Sequence, residues 1–149
     1  MIDNVEIREM KKEHLDGVMV VETLSFKIPW SRSSFIEELT NNDLAIYLVA
    51  MSEDKVIGYG GMWRIFDEGH ITNIAVHPEF RRCGIASKLM DKILTICNEK
   101  GIKGLTLEVR KSNISAQKLY IKYGFKIEGM RKKYYADTGE DALIMWRHN

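Results

Sequence analysis

Ile74-Ala75-Val76-His77-Pro78, followed after Glu79 and Phe80 by Arg81-Arg82-Cys83-Gly84-Ile85-Ala86-Ser87, is an apolar strand that passes through a proline-marked turn into a glycine-containing helix entry. Downstream, Ile85, Leu89, Ile93, Leu94 and Cys97 recur every three to four residues. That period predicts an amphipathic helix from Gly84 through about Lys100, with Gly101 as its stop signal. A strand that delivers the chain into a helix N-terminus gathers backbone N–H groups and the positive end of the helix dipole at one point. An anion has a seat there beside Arg81 and Arg82, and pyrophosphate is the natural guest. The spacing is neither a dinucleotide-binding G-x-G-x-x-G nor a phosphate loop with Lys-Ser/Thr after its glycines. A plain solvated helix start is the competing reading.

Upstream, Val5–Arg8 reads as a short strand, followed by a helix through about Ser25 on which Leu15, Met19, Glu22 and Phe26 share a face. Ser31 is placed to cap a second helix through Thr40, with Trp30 before the cap and Phe35 four residues inside it, the arrangement of a hydrophobic staple. Leu44–Met51, Val56–Arg64 and His70–Val76 are strands joined by short polar links, which predicts an antiparallel meander. Beyond the long helix, Leu105–Arg110 alternates like a strand. Asn113 can cap a helix with Ala116, Leu119, Tyr120 and Tyr123 on one face and Gly124 at its end. Strands around Phe125–Met130 and Ala142–Trp146, with a turn at Asp137–Asp141, close the chain. The order β-α-α-β-β-β-α-β-α-β-β predicts an α/β (α+β) fold: one mixed, mostly antiparallel, twisted sheet with helices on both faces.

The 149 residues, 45% hydrophobic and 29% charged, fit one domain spanning 1–149. A chain of this size buries roughly 68–70% of its unfolded surface and needs no staple. Cys83 and Cys97 do not form a disulfide framework, and with four scattered histidines they supply no metal-ligand pairs, so no metal is expected. Met1-Ile2-Asp3-Asn4-Val5-Glu6 carries charge where a signal peptide needs an apolar run. No stretch approaches the ~18–20 apolar residues of a membrane span. The expectation is a cytoplasmic protein with no membrane partner. Met1–Glu79 holds seven Lys/Arg against fourteen Asp/Glu, and Phe80–Asn149 fifteen against seven. A basic C-terminal half suits an anionic ligand, and attraction between the two halves explains the asymmetry equally well.

Three residues could carry chemistry. Glu108 lies on the strand face opposite Leu105, Leu107 and Val109 and could act as a general base if burial raised its pKa toward 7; a solvated strand residue is the alternative. Tyr120 offers a phenol, with an ordinary pKa near 10, that is protonated at neutral pH and suited to quenching a leaving group, although periodicity alone would make it core. Asn113 is a helix cap, a ligand contact, or both.

Taken together, the element order, Asn73-Ile74-Ala75-Val76-His77-Pro78, Arg81-Arg82-Cys83-Gly84-Ile85-Ala86, Leu107-Glu108-Val109-Arg110, Asn113, and Leu119-Tyr120-x-x-Tyr123-Gly124-Phe125 resemble the GCN5-related N-acetyltransferases (GNAT) over nearly the whole chain. Ile28-Pro29-Trp30-Ser31, Arg131-Lys132-Lys133-Tyr134-Tyr135 and Glu140-Asp141-Ala142-Leu143-Ile144-Met145 resemble, within that family, the enzymes that acetylate the N-terminal alanine of a small-subunit ribosomal protein. The resemblance implies acetyl-CoA as co-substrate. Its pantetheine arm would run along Ile74, Ala75 and Val76, and its pyrophosphate would lie in the loop of Arg81, Arg82, Cys83, Gly84, Ile85, Ala86 and Ser87. Further cofactor contacts are implied at Asn113, Ala116 and Tyr120. Glu108 would be the general base and Tyr120 the general acid in a direct transfer. Ala86 stands where the family pattern also allows a second glycine, which stiffens the loop slightly.

For the acceptor, the resemblance points to Phe26–Ser31, including Pro29 and Trp30, and to Tyr134 and Tyr135 with the Asp137–Asp141 turn. Exposed aromatics with acidic neighbours suit a cationic peptide N-terminus. Trp30 also serves as the staple of its helix. Cys83 is read as a small loop residue, Cys97 as core, and the histidines as structural or exposed. The implied partner is the N-terminus of a ribosomal protein. Other amine acceptors and a non-catalytic acyl-CoA-binding module are the rivals. Direct nucleic-acid binding finds no motif. A monomer is the working expectation for assembly.

Overall fold

The computed structural model describes residues 4–148; Met1, Ile2 and Asp3 of the charged N-terminal stretch, and Asn149, lie outside the described residues. Along the chain run β1 (Val5–Glu9), α1 (Leu15–Ser25), α2 (Arg32–Asn41), β2 (Ala45–Ser52), β3 (Lys55–Ile65), β4 (Glu68–Val76), α3 (Ile85–Glu99), β5 (Gly104–Arg110), α4 (Ile114–Lys122), β6 (Lys126–Tyr135) and β7 (Glu140–His148). This is the order read from the sequence, with strand ends moved by one or two residues. The exception is β6, which runs on through Arg131-Lys132-Lys133-Tyr134-Tyr135. None of the described helices is long and apolar enough to cross a membrane.

The strands form one sheet in the order β1-β2-β3-β4-β5-β7-β6. Every neighbouring pair is antiparallel except β4 with β5, the strands joined through the α3 crossover. Strand alternation divides the interior in two. On β2, Leu48 and Ala50 face a core built with Ile85, Leu89 and Ile93 of α3 and Tyr120 of α4. Tyr47, Val49 and Met51 point the other way, to a core with Leu15, Val18 and Val21 of α1 and Phe35 of α2. The sheet is therefore covered on both faces, as expected.

Two local readings hold in detail and one shifts. Ser31 Oγ accepts from Ser34 N at 3.1 Å, and the Trp30 and Phe35 rings stand 5.4 Å apart, so cap and staple are both present. Gly84 opens α3 with φ +76°, a conformation glycine adopts without strain. On α1 the buried face is Leu15, Val18, Val21 and Glu22, not Leu15, Met19, Glu22 and Phe26. The valines turn onto the sheet, and Met19 and Phe26 sit at the rim of the same core.

Phe35 is fully buried, edge-on to Tyr47 and Tyr59 as well as tilted against Trp30. Phe35→Ala should cost about 3–5 kcal/mol. It should appear in urea unfolding as a lower midpoint with an unchanged slope.

Candidate active site

β4 and β5 pair over only three positions, Glu68 with Gly104, Gly69 with Leu105 and His70 with Thr106. Past His70 the strands part. A bulge at Thr72 helps to turn β4 away: Met62 on β3 pairs with Ile71 and Gly61 with Asn73, which leaves Thr72 extra. His77 N donates to Ile57 O at 2.8 Å on the β3 side, so alternation turns the backbone groups of Ile74 and Val76 toward the opening. The parting widens into a cleft of about 860 Å³. It is walled by Glu22, Phe26, Ile28 and Trp30, by Thr72, Asn73 and Ile74, by Glu108, Val109 and Arg110, by Asn113, Ala116 and Tyr120, and by Tyr134 through Thr138 with Glu140.

Glu108 reaches this cleft because β5 sends Leu105, Leu107 and Val109 into the core and the residues between them to the other face. Its Oε2 lies 2.7 Å from His70 Nε2, and its Oε1 lies 3.6 Å from Arg131 Nε. The His70 hydrogen bond holds the carboxyl below its ordinary range, aided by the charges of His70 and Arg131, and together they outweigh the burial that pushes the other way. The expected rise toward 7 is thus reversed. His70, read from the sequence as structural or exposed, is the partner of the candidate base. The clue was its place at the end of the β4–β5 pairing, which requires knowing the register of two strands far apart in sequence.

Tyr120 is buried, packed at 5.6 Å against Phe125, and burial raises its pKa well above that of a free phenol, with the nearby Tyr135 adding to the shift. It is a protonated phenol in the cleft wall, so its core and chemical readings coexist. Asn113 Oδ1 accepts from Ala116 N at 3.1 Å, which makes Asn113 a cap that also lines the cleft.

The loop from Arg81 to Ser87 lies beyond the end of β4 and does not line this cleft. Arg82, with φ +64°, and Gly84 curl the chain there, and α3 begins without a side-chain cap, so its first N–H groups have no capping acceptor. Arg81 and Arg82 are exposed beside it, and Cys83 is half-buried with Sγ 3.6 Å from Arg81 O. Ile85 turns its side chain into the core and leaves its backbone N–H at the start of α3, whereas Ala75 packs into the α1–α2 core and, paired with Tyr59, turns its backbone groups to β3 rather than to the opening. Val76 packs against the α3 core. Ser87 O lies 3.1 Å from the Tyr123 hydroxyl, which also reaches Asp91 Oδ1 at 2.8 Å and so ties α4 to α3.

On the acceptor side Trp30, Tyr134 and Tyr135 line the cleft; Pro29 is exposed and does not, its neighbours Ile28 and Trp30 taking that wall. Two networks there were not legible beforehand. Glu22 is buried and accepts from Tyr59 O–H at 2.5 Å and from Trp30 N at 2.8 Å, while Asn73 Nδ2 donates to Tyr59 Oη at 2.9 Å. Arg110 reaches Asp137 Oδ2 at 2.8 Å and Glu140 Oε1 at 3.5 Å, and its guanidinium stacks 4.0 Å over Tyr135. Of the acidic residues expected to greet a cationic peptide, Asp137 and Glu140 are engaged by Arg110, and Asp141 Oδ1 accepts from Lys133 N at 2.9 Å.

Residues 15–125 match the family model described as the Acetyltransferase (GNAT) family. The chain belongs to the GNAT acetyltransferase family. A Bacillus subtilis (strain 168) protein, provisionally named a ribosomal protein bS18-alanine N-acetyltransferase, is 45% identical over 140 residues, covering 94% of this chain and 93% of its own. The crystal structure of the Escherichia coli ribosomal-protein-S18-alanine N-acetyltransferase superposes with a TM-score of 0.89 at 27% identity, over 97% of this chain and 94% of that one. The Thermoplasma acidophilum PaiA N-acetyltransferase, solved with coenzyme A, shares the GNAT fold at TM-score 0.79 and 23% identity, over 99% of this chain and all of its own.

Arg110 clamps the β6–β7 turn to β5. In Arg110→Ala, the amides of Lys111 and Gly139, bonded to Asp141 O and Tyr135 O, should exchange with solvent faster while those of β2 and β3 stay protected. Hydrogen exchange resolved by residue would read the difference.

Proposed function

We propose that this chain, acting as one domain over residues 1–149 in the cytoplasm, transfers the acetyl group of acetyl-CoA to the N-terminal alanine of a small-subunit ribosomal protein of the bS18 kind. The observation that carries this is the parting of β4 from β5, which puts a carboxylate, Glu108, and a protonated phenol, Tyr120, on the walls of one cleft beside an open strand edge. The names borne by the Bacillus subtilis and Escherichia coli relatives support the choice of acceptor.

Two features fit acetyl-CoA. The Ile74 backbone groups and the Val76 N–H face the opening, with Val76 O met by Arg81 Nε at 3.4 Å, and they offer the hydrogen-bond ladder that an amide-bearing pantetheine arm needs. The uncapped start of α3 with Arg81 and Arg82 offers N–H groups and positive charge to a pyrophosphate. When bound, acetyl-CoA supplies an activated thioester and a thiolate leaving group.

The rest is the work of side chains. An α-amine has a pKa of about 7.7–8, so at neutral pH most of it must lose a proton before it can attack. Glu108, through a water, accepts that proton. The Val76 N–H donates to the acetyl oxygen as negative charge gathers there, and Tyr120 O–H delivers a proton to sulfur. Trp30, fixed through its N–H by Glu22, and Tyr135, fixed under Arg110, hold the peptide between two rigid aromatic walls. Transfer is direct, from acetyl-CoA to amine in one ternary complex.

CoA release should be measured with a short Ala-Arg-start peptide, the same peptide blocked at its N-terminus, a lysine peptide and a polyamine. Turnover confined to the free N-terminus is expected. Turnover with lysine or polyamine instead would overturn the acceptor, and tight acetyl-CoA binding without turnover would overturn catalysis. Glu108→Gln and Tyr120→Phe should each lower kcat by about 10²–10⁴-fold and leave the acetyl-CoA dissociation constant within about twofold.

A further inference from the structure

We infer that His70 is a positioning residue for Glu108: it anchors one carboxylate oxygen, and its own charge sets how basic the carboxylate is, so that the neutral imidazole leaves a working base and the imidazolium quenches it. The inference rests on the acetyl-transfer reading above.

The geometry is specific. His70 is the last residue of β4 still paired with β5, so its backbone is held by both strands just where the cleft opens. Its imidazole is braced edge-on by Trp63 of β3, with ring centroids 6.2 Å apart. Nε2 meets Glu108 Oε2 at 2.7 Å, which commits that oxygen and leaves Oε1 to take up a proton. The other groups facing Glu108 are few. Arg131 of β6 stands 3.6 Å from Oε1, Tyr135 of β6 is near enough to feel the carboxylate's charge, and the register partner on β7 is the apolar Ile144. Tyr120 of α4 and Glu22 of α1 share the cleft wall. Arg131 stays cationic at any working pH, whereas an imidazole can be neutral or cationic, so of the two groups paired with Glu108 only His70 can change its charge.

A positive charge within 4–6 Å lowers a carboxylate pKa by about 1–3 units. A base weakened by that much takes a proton from an ammonium less readily, and the transfer slows. Acidification through the imidazole range should therefore suppress the enzyme twice, by protonating the acceptor amine and by charging His70. The first effect belongs to the substrate and the second to the protein.

His70→Gln separates them, since its amide can still donate to Glu108 Oε2 but cannot become charged. The ratio of kcat/KM, variant over wild type, cancels the ionisation of the acceptor. It should rise about 5–10-fold as the pH falls from 7.5 to 5.5, with the acetyl-CoA dissociation constant unchanged. A flat ratio would overturn the inference, because a merely structural His70 lowers activity equally at every pH. A second measurement needs no turnover: the His70 imidazole followed by NMR across pH in wild type and in Glu108→Gln. Loss of the anionic partner should move its midpoint downward. An unchanged midpoint would sink the pairing. Should the wild-type chain acetylate no acceptor, the acetyl-transfer reading falls by itself, and the imidazole titration still decides whether His70 and Glu108 are coupled.

Discussion

A parallel pair of strands that stays together for three residues and then separates is an expensive arrangement, because each backbone N–H and C=O left along the gap must find a partner. The sheet tolerates it because both strands are secured on their far sides. β4 is held along most of its length by β3, and β5 by β7 over all seven of its residues. The cost is also local. Thr72 bulges from β4 opposite Gly61, where a Cβ would run into the Tyr47 ring, so a glycine, a bulge and a packed tyrosine together let β4 turn aside. What remains is a row of oriented backbone groups at the mouth of a cleft, rigid on both sides, and a ligand able to complete the ladder binds without the protein having to rearrange.

The charges around that cleft are largely spoken for. Arg110 is taken up by Asp137, Glu140 and the face of Tyr135, and Glu22 by the Tyr59 hydroxyl and the Trp30 amide. These contacts set the two aromatic walls in place, and in the Arg110 cluster the charges offset one another. Glu108 differs, since one of its oxygens is held and the other faces only a guanidinium at 3.6 Å. Asp137 and Glu140 are paired with Arg110 and Glu22 is hydrogen-bonded on both oxygens, so Glu108 is the carboxylate of the cleft wall with an oxygen left to act.

Much of this was legible in the sequence, and the boundary between what was and was not is physical. Ser31 and Asn113 announced their helices because a cap is decided within four residues, and the Trp30–Phe35 staple is equally local. Glu108 could be assigned to the polar face of its strand by a period of two. Its pKa could not, since the direction of the shift depends on His70, 38 residues away on a neighbouring strand. Asp137 and Glu140 looked like free acids for the same reason: their partner, Arg110, lies 27 and 30 residues upstream. Pro29 was carried along by its neighbours in the motif, yet in this connection Phe26, Lys27, Ile28 and Trp30 meet the cleft and Pro29 turns to solvent.

The ion pairs bear on one of the two explanations for the opposite charges of the two halves of the chain. Were they there to draw the halves together, ion pairs should bridge them. Among the described residues only His70–Glu108 and Lys103–Asp67 do so, the latter at 3.9 Å between exposed side chains, where a pair is worth little. The other ion pairs join residues of the same half. The cations at the start of α3, Arg81 and Arg82, stay at the surface beside N–H groups that no side chain caps. The charge of the basic half is therefore largely not spent on pairing with the acidic one. The place where those cations meet uncapped amides is where a phosphate-bearing ligand would be held.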